Sequence, residues 1–312
     1  MKKITLLLSF VACVLVAQAQ VLLVEDFNYP IGNDIKSHGW PIHSGSGATK
    51  DSILVVDGLV FSGYIGSGIG GAAAVNAKYC DQNHVFTGQT SGAVYASFML
   101  KSLGAVGAAS YFLHFGPSTI GTTYFTRVWI NITGDGLGIG ASAPASYLPI
   151  TLNTTYLVVI KYDFSTKVSS LNVFSTLPSI EPSTAQASFT ETTGPAAATP
   201  TDIGTIALRQ GNTSGTPNQN VVVDGIRITK SWAELFTATG FLNPLAIDFK
   251  AVVSGNKLLV NNVANGSTIE IYSVLGAKVQ SSKLMNGFVE INNLTKGLYV
   301  VRVGKDSQKI ML

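Results

Sequence analysis

Apolar and polar residues alternate with period two along much of this chain, as in Ile269-Glu270-Ile271-Tyr272 and Tyr299-Val300-Val301-Arg302-Val303. That period puts successive side chains on opposite faces of a strand. No segment carries a long apolar face at helical spacing, so the pattern predicts an all-β protein. Predicted strands in the first part are Val21–Phe27, Ser52–Val56, Leu59–Phe61, Val94–Leu100, Ser110–Gly116 and Phe125–Ile132. They continue with Gly136–Gly140, Thr155–Phe164, Lys167–Phe174, Asp202–Gln210 and Val221–Thr229. Tyr156 to Tyr162 is almost continuously apolar, the mark of a strand covered on both faces. Eleven such strands suit one large jelly roll of two antiparallel sheets, with the Pro-, Thr- and Ala-rich stretch 178–200 as a surface loop.

The last part predicts a second, smaller sandwich. Seven short strands are expected at Asp248–Val253, Lys257–Val263, Thr268–Val274, Ala277–Leu284, Gly287–Ile291, Leu298–Val303 and Gln308–Leu312. Ser254-Gly255-Asn256, Asn265-Gly266-Ser267, Asn286-Gly287 and Thr295-Lys296-Gly297 supply the turns between them. The expectation is an Ig-like β-sandwich of seven strands.

At the other end, Lys2 and Lys3 precede an apolar run from Ile4 to Val16 and an Ala17-Gln18-Ala19 site. This is the pattern of a secretory signal peptide cleaved between Ala19 and Gln20, and the run is too short for a transmembrane anchor. Removing it takes away Cys13 and leaves Cys80 alone, so stability must come from packing or a metal. The expected organisation is signal peptide 1–19, passenger 20–241, linker 242–248 and tail 249–312. Charged residues are 12% of the chain and glycines number 32, which suits short strands and tight turns. Residues 20–245 hold ten Lys or Arg against thirteen Asp or Glu, net −3; residues 246–312 hold eight against four, net +4. The basic residues are scattered, so no nucleic-acid partner is expected.

The blocks Ile269-Glu270-Ile271-Tyr272-Ser273-Val274-Leu275-Gly276-Ala277-Lys278-Val279 and Leu294-Thr295-Lys296-Gly297-Leu298-Tyr299-Val300-Val301-Arg302-Val303 resemble the type IX (Por) secretion C-terminal sorting domain of type A. The resemblance implies export through the periplasm and outer membrane of a Gram-negative cell, with the type IX machinery as partner. Gly276, Lys278, Lys296, Gly297, Tyr299 and Val301 are the motif positions it singles out. In the passenger, Glu25-Asp26-Phe27-Asn28-Tyr29, Gly39-Trp40 and Val223-Asp224-Gly225-Ile226-Arg227-Ile228 resemble concanavalin-like or laminin-G-like jelly-roll modules of bacterial surface proteins. That resemblance implies a fold used for carbohydrate or protein binding, and fold alone does not fix function. It also implies a structural Ca2+ held by Glu25, Asp26 and Asp224, the competing reading being that these carboxylates cap turns.

No carboxylate pair spaced for glycoside hydrolysis lies on one strand, no G-x-S-x-G elbow is present, and His38, His43, His84 and His114 lack metal-ligand spacing. His114 is expected as a plain strand residue. Gly66-Ser67-Gly68-Ile69-Gly70-Gly71 fits a dinucleotide fingerprint by letter but has no βαβ context, and reads as a Gly-rich loop. Trp40, Tyr64, Tyr79 and Trp129 are the aromatics that could stack on sugar if they share an exposed face, and are core residues otherwise. The expectation is a secreted, non-enzymatic surface module binding glycan or protein. A polysaccharide hydrolase and a structural matrix or adhesion component are the alternatives.

Overall fold

Backbone pairing from Val21 to Met311 is antiparallel throughout the computed structural model, which describes residues 21–45, 52–76, 80–193, 198–211, 218–237, 250–261, 263, 266–274, 276–292, 294–303 and 306–312. Ala19, Gln20 and the linker 242–248 lie outside the described residues. Two compact units separate at residue 239, Met1–Thr239 and Gly240–Leu312.

The first unit contains β1 (Val21–Glu25), β2 (Ile42–Ser44), β3 (Leu54–Asp57), β4 (Gly71–Val75), β5 (Asp81–Gln89), β6 (Ala93–Ser102), β7 (Ser110–Gly116) and β8 (Phe125–Ile130). It continues with β9 (Gly136–Ile139), β10 (Leu148–Pro149), β11 (Thr155–Asp163), β12 (Val168–Phe174), β13 (Ala187–Thr190), β14 (Ile203–Leu208) and β15 (Val221–Thr229). One sheet runs β13-β12-β11-β6-β15-β4-β3, with β1 joined to β15 as its eighth strand; the other runs β10-β9-β8-β7-β14-β5-β2. The late strands β14 and β15 insert between early neighbours in both sheets. Many of the pairings therefore join residues far apart in sequence.

Alternation sets what each face does. Along β6, Ala96, Phe98 and Leu100 enter the core between the sheets, and along β11 Val158, Ile160 and Tyr162 do the same. Their neighbours Tyr95, Met99, Leu157 and Val159 join separate apolar clusters with Leu59, Phe61, Tyr64, Trp232 and Leu235. The eight-stranded sheet is thus apolar on both sides near its centre, as the unbroken run in β11 predicts. Leu59–Phe61 is a covering segment rather than the expected strand. The stretch 178–200 is likewise not all loop, since β13 forms within it and pairs with β12.

The second unit forms β16 (Lys250–Ser254), β17 (Lys257–Asn261), β18 (Thr268–Ser273), β19 (Lys278–Lys283), β20 (Phe288–Glu290), β21 (Leu298–Val303) and β22 (Asp306–Met311). Their orders are β16-β17-β20 and β19-β18-β21-β22. Leu258, Val260, Ile269, Ile271, Tyr299 and Val301 fill its core. The seven strands match the predicted seven. At one of the expected turns, Asn286 and Gly287 both take positive φ, 54° and 80°, which a tight hairpin turn needs.

Candidate functional site

The seven-stranded sheet differs from its partner in what it presents outward. Its inward residues Phe112, Phe115, Val128, Ile130, Ile206 and Leu208 are core. Its other face carries rings and charges in two ranks across the strands. In the first rank Arg209, Tyr111 and Trp129 stand side by side: the Arg209 guanidinium carbon lies 4.1 Å from the Tyr111 ring centroid, and Tyr111 lies 5.3 Å edge-on to Trp129. Arg127 reaches the same Tyr111 ring at 5.4 Å. In the second rank, Ala207 pairs with Asn83 on one side and His114 on the other. The His114 ring lies 4.1 Å from Tyr124 and 6.1 Å from His43. Tyr111, Tyr124, Arg127, Trp129 and His43 are partly exposed.

Two irregularities build this face. Tyr111 pairs with Trp129 but Leu113 pairs with Val128, so β7 carries an extra residue. The bulge brings Tyr111 and His114, three positions apart, to one face with rings 5.8 Å apart. A second shift follows, from Leu113↔Val128 to Phe115↔Phe125, and Thr126 there takes a left-handed φ of 52°. Glu191 holds that turn, its Oε1 accepting the Thr126 N–H at 2.6 Å and the Ser169 hydroxyl at 2.7 Å. Arg127 is thereby aimed outward, where Nε donates to Tyr124 O and Nη1 to Ala141 O. Gly138 completes the wall, since a Cβ there would stand 2.5 Å from the Pro144 side chain. The segment bearing Pro144 and Tyr147 can therefore lie close over β9, and Gly140 O takes the Trp129 indole N–H at 2.8 Å.

Electrostatically the face is mixed. Asp81 faces Arg209 at 3.9 Å and accepts the N–H groups of Gln210 and Gly211, while burial pushes its carboxyl up and Arg209 opposes that. Burial drives His43 down to about 4 and His114 down to about 3, so both imidazoles are neutral at pH 7. His114 Nδ1 lies 3.0 Å from Phe115 O, which assigns its proton to Nδ1 and leaves a lone pair on Nε2. That buried Nε2 has no hydrogen-bond partner among the described residues, and His43 faces the Asn83 side chain.

Of the aromatics singled out from sequence, Trp129 belongs to this face and Tyr79 lies outside the described residues. Trp40 is fully buried and donates its indole N–H to Glu25 at 2.9 Å. Tyr64 is buried with its hydroxyl 2.8 Å from Ser97 Oγ and 2.7 Å from Gly225 O. Neither can stack on a ligand. Tyr111, Tyr124, His43, Arg127 and Arg209 were not anticipated.

The expected calcium ligands do not converge as a set. Glu25 accepts from Phe27 N at 2.6 Å, Tyr29 Oη at 2.8 Å and Trp40 Nε1, so its oxygens tie the entry corner together. Asp26 is paired with Arg227 at 2.6 Å. Asp224 lies at a bulge of β15 where Gly225 has φ 59°, and accepts the Leu59 N–H at 2.7 Å. Among the described residues no three His, Cys, Asp or Glu side chains form a metal-holding group. Glu25 and Asp26 are thus bonded within the corner, while the buried Asp224 Oδ1 has no hydrogen-bond partner among the described residues.

In the tail, Gly276 sits at φ 84° between β18 and β19, and Lys278 pairs with Glu270 at 3.1 Å. Gly297 exchanges backbone bonds with Leu312, Lys296 precedes it, and Tyr299 and Val301 are core. Residues 243–312 match the family described as secretion system C-terminal sorting domain. This type IX tail marks the chain for export to the cell surface or the extracellular space. No helix among the described residues is long and apolar enough to cross a membrane.

The first unit is an antiparallel two-sheet sandwich with one chemically dressed face. No curated protein matches the chain. Similar solved structures include a sialidase, at 12% identity and TM-score 0.43, covering 70% of this chain. The chain spans 19% of that sialidase's length. The catalytic domain of a glycoside hydrolase family 131 protein from Coprinopsis cinerea is similar at 15% identity and TM-score 0.41, covering 68% of this chain and 95% of that one. Lectin I-B4 from Griffonia simplicifolia, in its metal-free form, is similar at 10% identity and TM-score 0.35, covering 62% and 93%.

Proposed function

We propose that this is a non-catalytic glycan-binding protein of the cell surface, a concanavalin-like jelly roll delivered by a type A sorting tail. The observation that carries the reading is the rank of Tyr111 and Trp129 beside His43, His114 and Tyr124 on one sheet face. Aromatic rings offer apolar contact to the C–H face of a sugar, and the Arg127 guanidinium beside them offers a donor to its oxygens. Binding is favoured over hydrolysis because Asp81 and Glu191 are both held by protein donors, and no two free carboxylates flank the rings among the described residues. The test is a glycan array with the full chain, paired with an assay for reducing ends on every bound polysaccharide. Binding without new reducing ends supports the proposal; turnover, or no binding at all, sinks it.

A further inference from the structure

On that reading of the seven-stranded face, we infer that its ligand is an acidic glycan, a uronic-acid polymer type of chain, whose carboxylate is taken by Arg127 beside the rings of Tyr111 and Trp129.

Two guanidinium groups meet on this face, both over the ring of Tyr111, at 4.1 Å for Arg209 and 5.4 Å for Arg127. Their roles differ. Arg209 is spent internally, its Nη1 donating to Ser110 Oγ and Tyr111 O, its Nη2 to Gly211 O, and its Nε facing Asp81. Arg127 uses Nε and Nη1 on backbone carbonyls, and its Nη2 has no hydrogen-bond partner among the described residues. The backbone bonds fix the plane of the guanidinium and leave one edge donor to offer. A guanidinium held that way loses little freedom on gripping a carboxylate.

The acids nearby make no ion pair with Arg127. Asp81 lies on the far side of Arg209 and is occupied by two backbone N–H groups; Glu191 feels the Arg127 charge but is buried beneath the Thr126 turn with its own donors. His114 is fully buried beneath Tyr124 and supports the face from below. On a face otherwise made of rings, the fixed guanidinium of Arg127 is the group that distinguishes a charged sugar from a neutral one. A sugar ring over Trp129 and Tyr111 that carries a carboxylate meets both the rings and that guanidinium. A neutral glycan meets the rings alone.

The test is affinity electrophoresis of the full chain through gels containing polygalacturonate, its methyl ester, alginate, a sulfated carrageenan or neutral laminarin. Polygalacturonate and its ester share one backbone and differ in charge. Retention is expected to be about tenfold stronger on the acid than on the ester, the worth of one charge-assisted contact. Arg127→Gln should erase that difference, and Arg127→Lys should restore part of it. Should either variant unfold, salt serves instead: rising salt should release the wild-type chain from polygalacturonate. Equal retention on acid and ester overturns the inference while leaving glycan binding standing. Preferential retention on carrageenan overturns the carboxylate. Passage through every gel unretarded overturns the inference and the underlying reading with it.

Discussion

The Glu191 carboxylate accepts the backbone N–H of Thr126, a residue held at φ 52° near the start of β8. A β-branched residue in that conformation is strained, and the bond to Glu191 offsets the strain. Glu191→Ala leaves the Thr126 N–H and the Ser169 hydroxyl without this acceptor inside the sandwich. It should cost about 2–4 kcal/mol in urea unfolding. Glu191→Gln, which keeps an acceptor oxygen, should cost clearly less; equal losses would dissociate the turn from the carboxylate.

Asp224 is fully buried, and burial lifts its carboxyl to about 7, against 3.8 ordinarily. The folded protein therefore holds a proton between pH 4 and 7 that the unfolded chain has released. Stability must fall as pH rises through that window and level off above it, by roughly 4 kcal/mol at most. Asp26, Asp81 and Glu191, also raised by burial, act in the same direction. Asp224→Asn should flatten the slope between pH 4 and 7 measured by chemical denaturation. An unchanged slope removes Asp224 as its source.

Because Glu25 and Asp26 are satisfied within the protein, thermal melts in EDTA and in excess calcium should coincide. An upward shift with calcium would show that Asp224 recruits an ion with backbone oxygens, since mass action stabilises any fold that binds one.

Trp129→Ala and Tyr111→Ala should each weaken glycan retention about tenfold, the scale of one lost ring contact together with its buried area. Trp40→Phe should leave retention intact and lower the melting temperature, because that indole serves Glu25. A reversed pattern would move the binding surface elsewhere.

Deleting residues 249–312 should trap the passenger inside the cell envelope, as followed by fractionation and surface protease access. Surface delivery of the truncated chain would separate the tail from sorting.

The fold was readable wherever strands carry the usual apolar alternation, and the tail most completely, because Asn286-Gly287 and Thr295-Lys296-Gly297 punctuate it. The strand Asp81–Gln89 escaped notice because its composition is polar. Gln82 there turns inward to accept the Ile53 N–H, and Asp81 and Asn83 serve the other face. The site was harder still. Strict alternation puts Tyr111 and His114 on opposite faces, and the bulge that reunites them has no glycine to announce it. Trp40 misled for a related reason: a large aromatic beside glycine looks like a binding ring until its acid partner, fifteen residues upstream, is known.

The pairing of β1 with β15 acts as a clasp across some two hundred residues. A contact of that span forms late, since the ends must find each other after the intervening chain has ordered. Both halves of the clasp lie upstream of the tail, so fastening it uses no residue of the address. The cargo can thus be finished before its label is, and the two units can mature in sequence without waiting on one another.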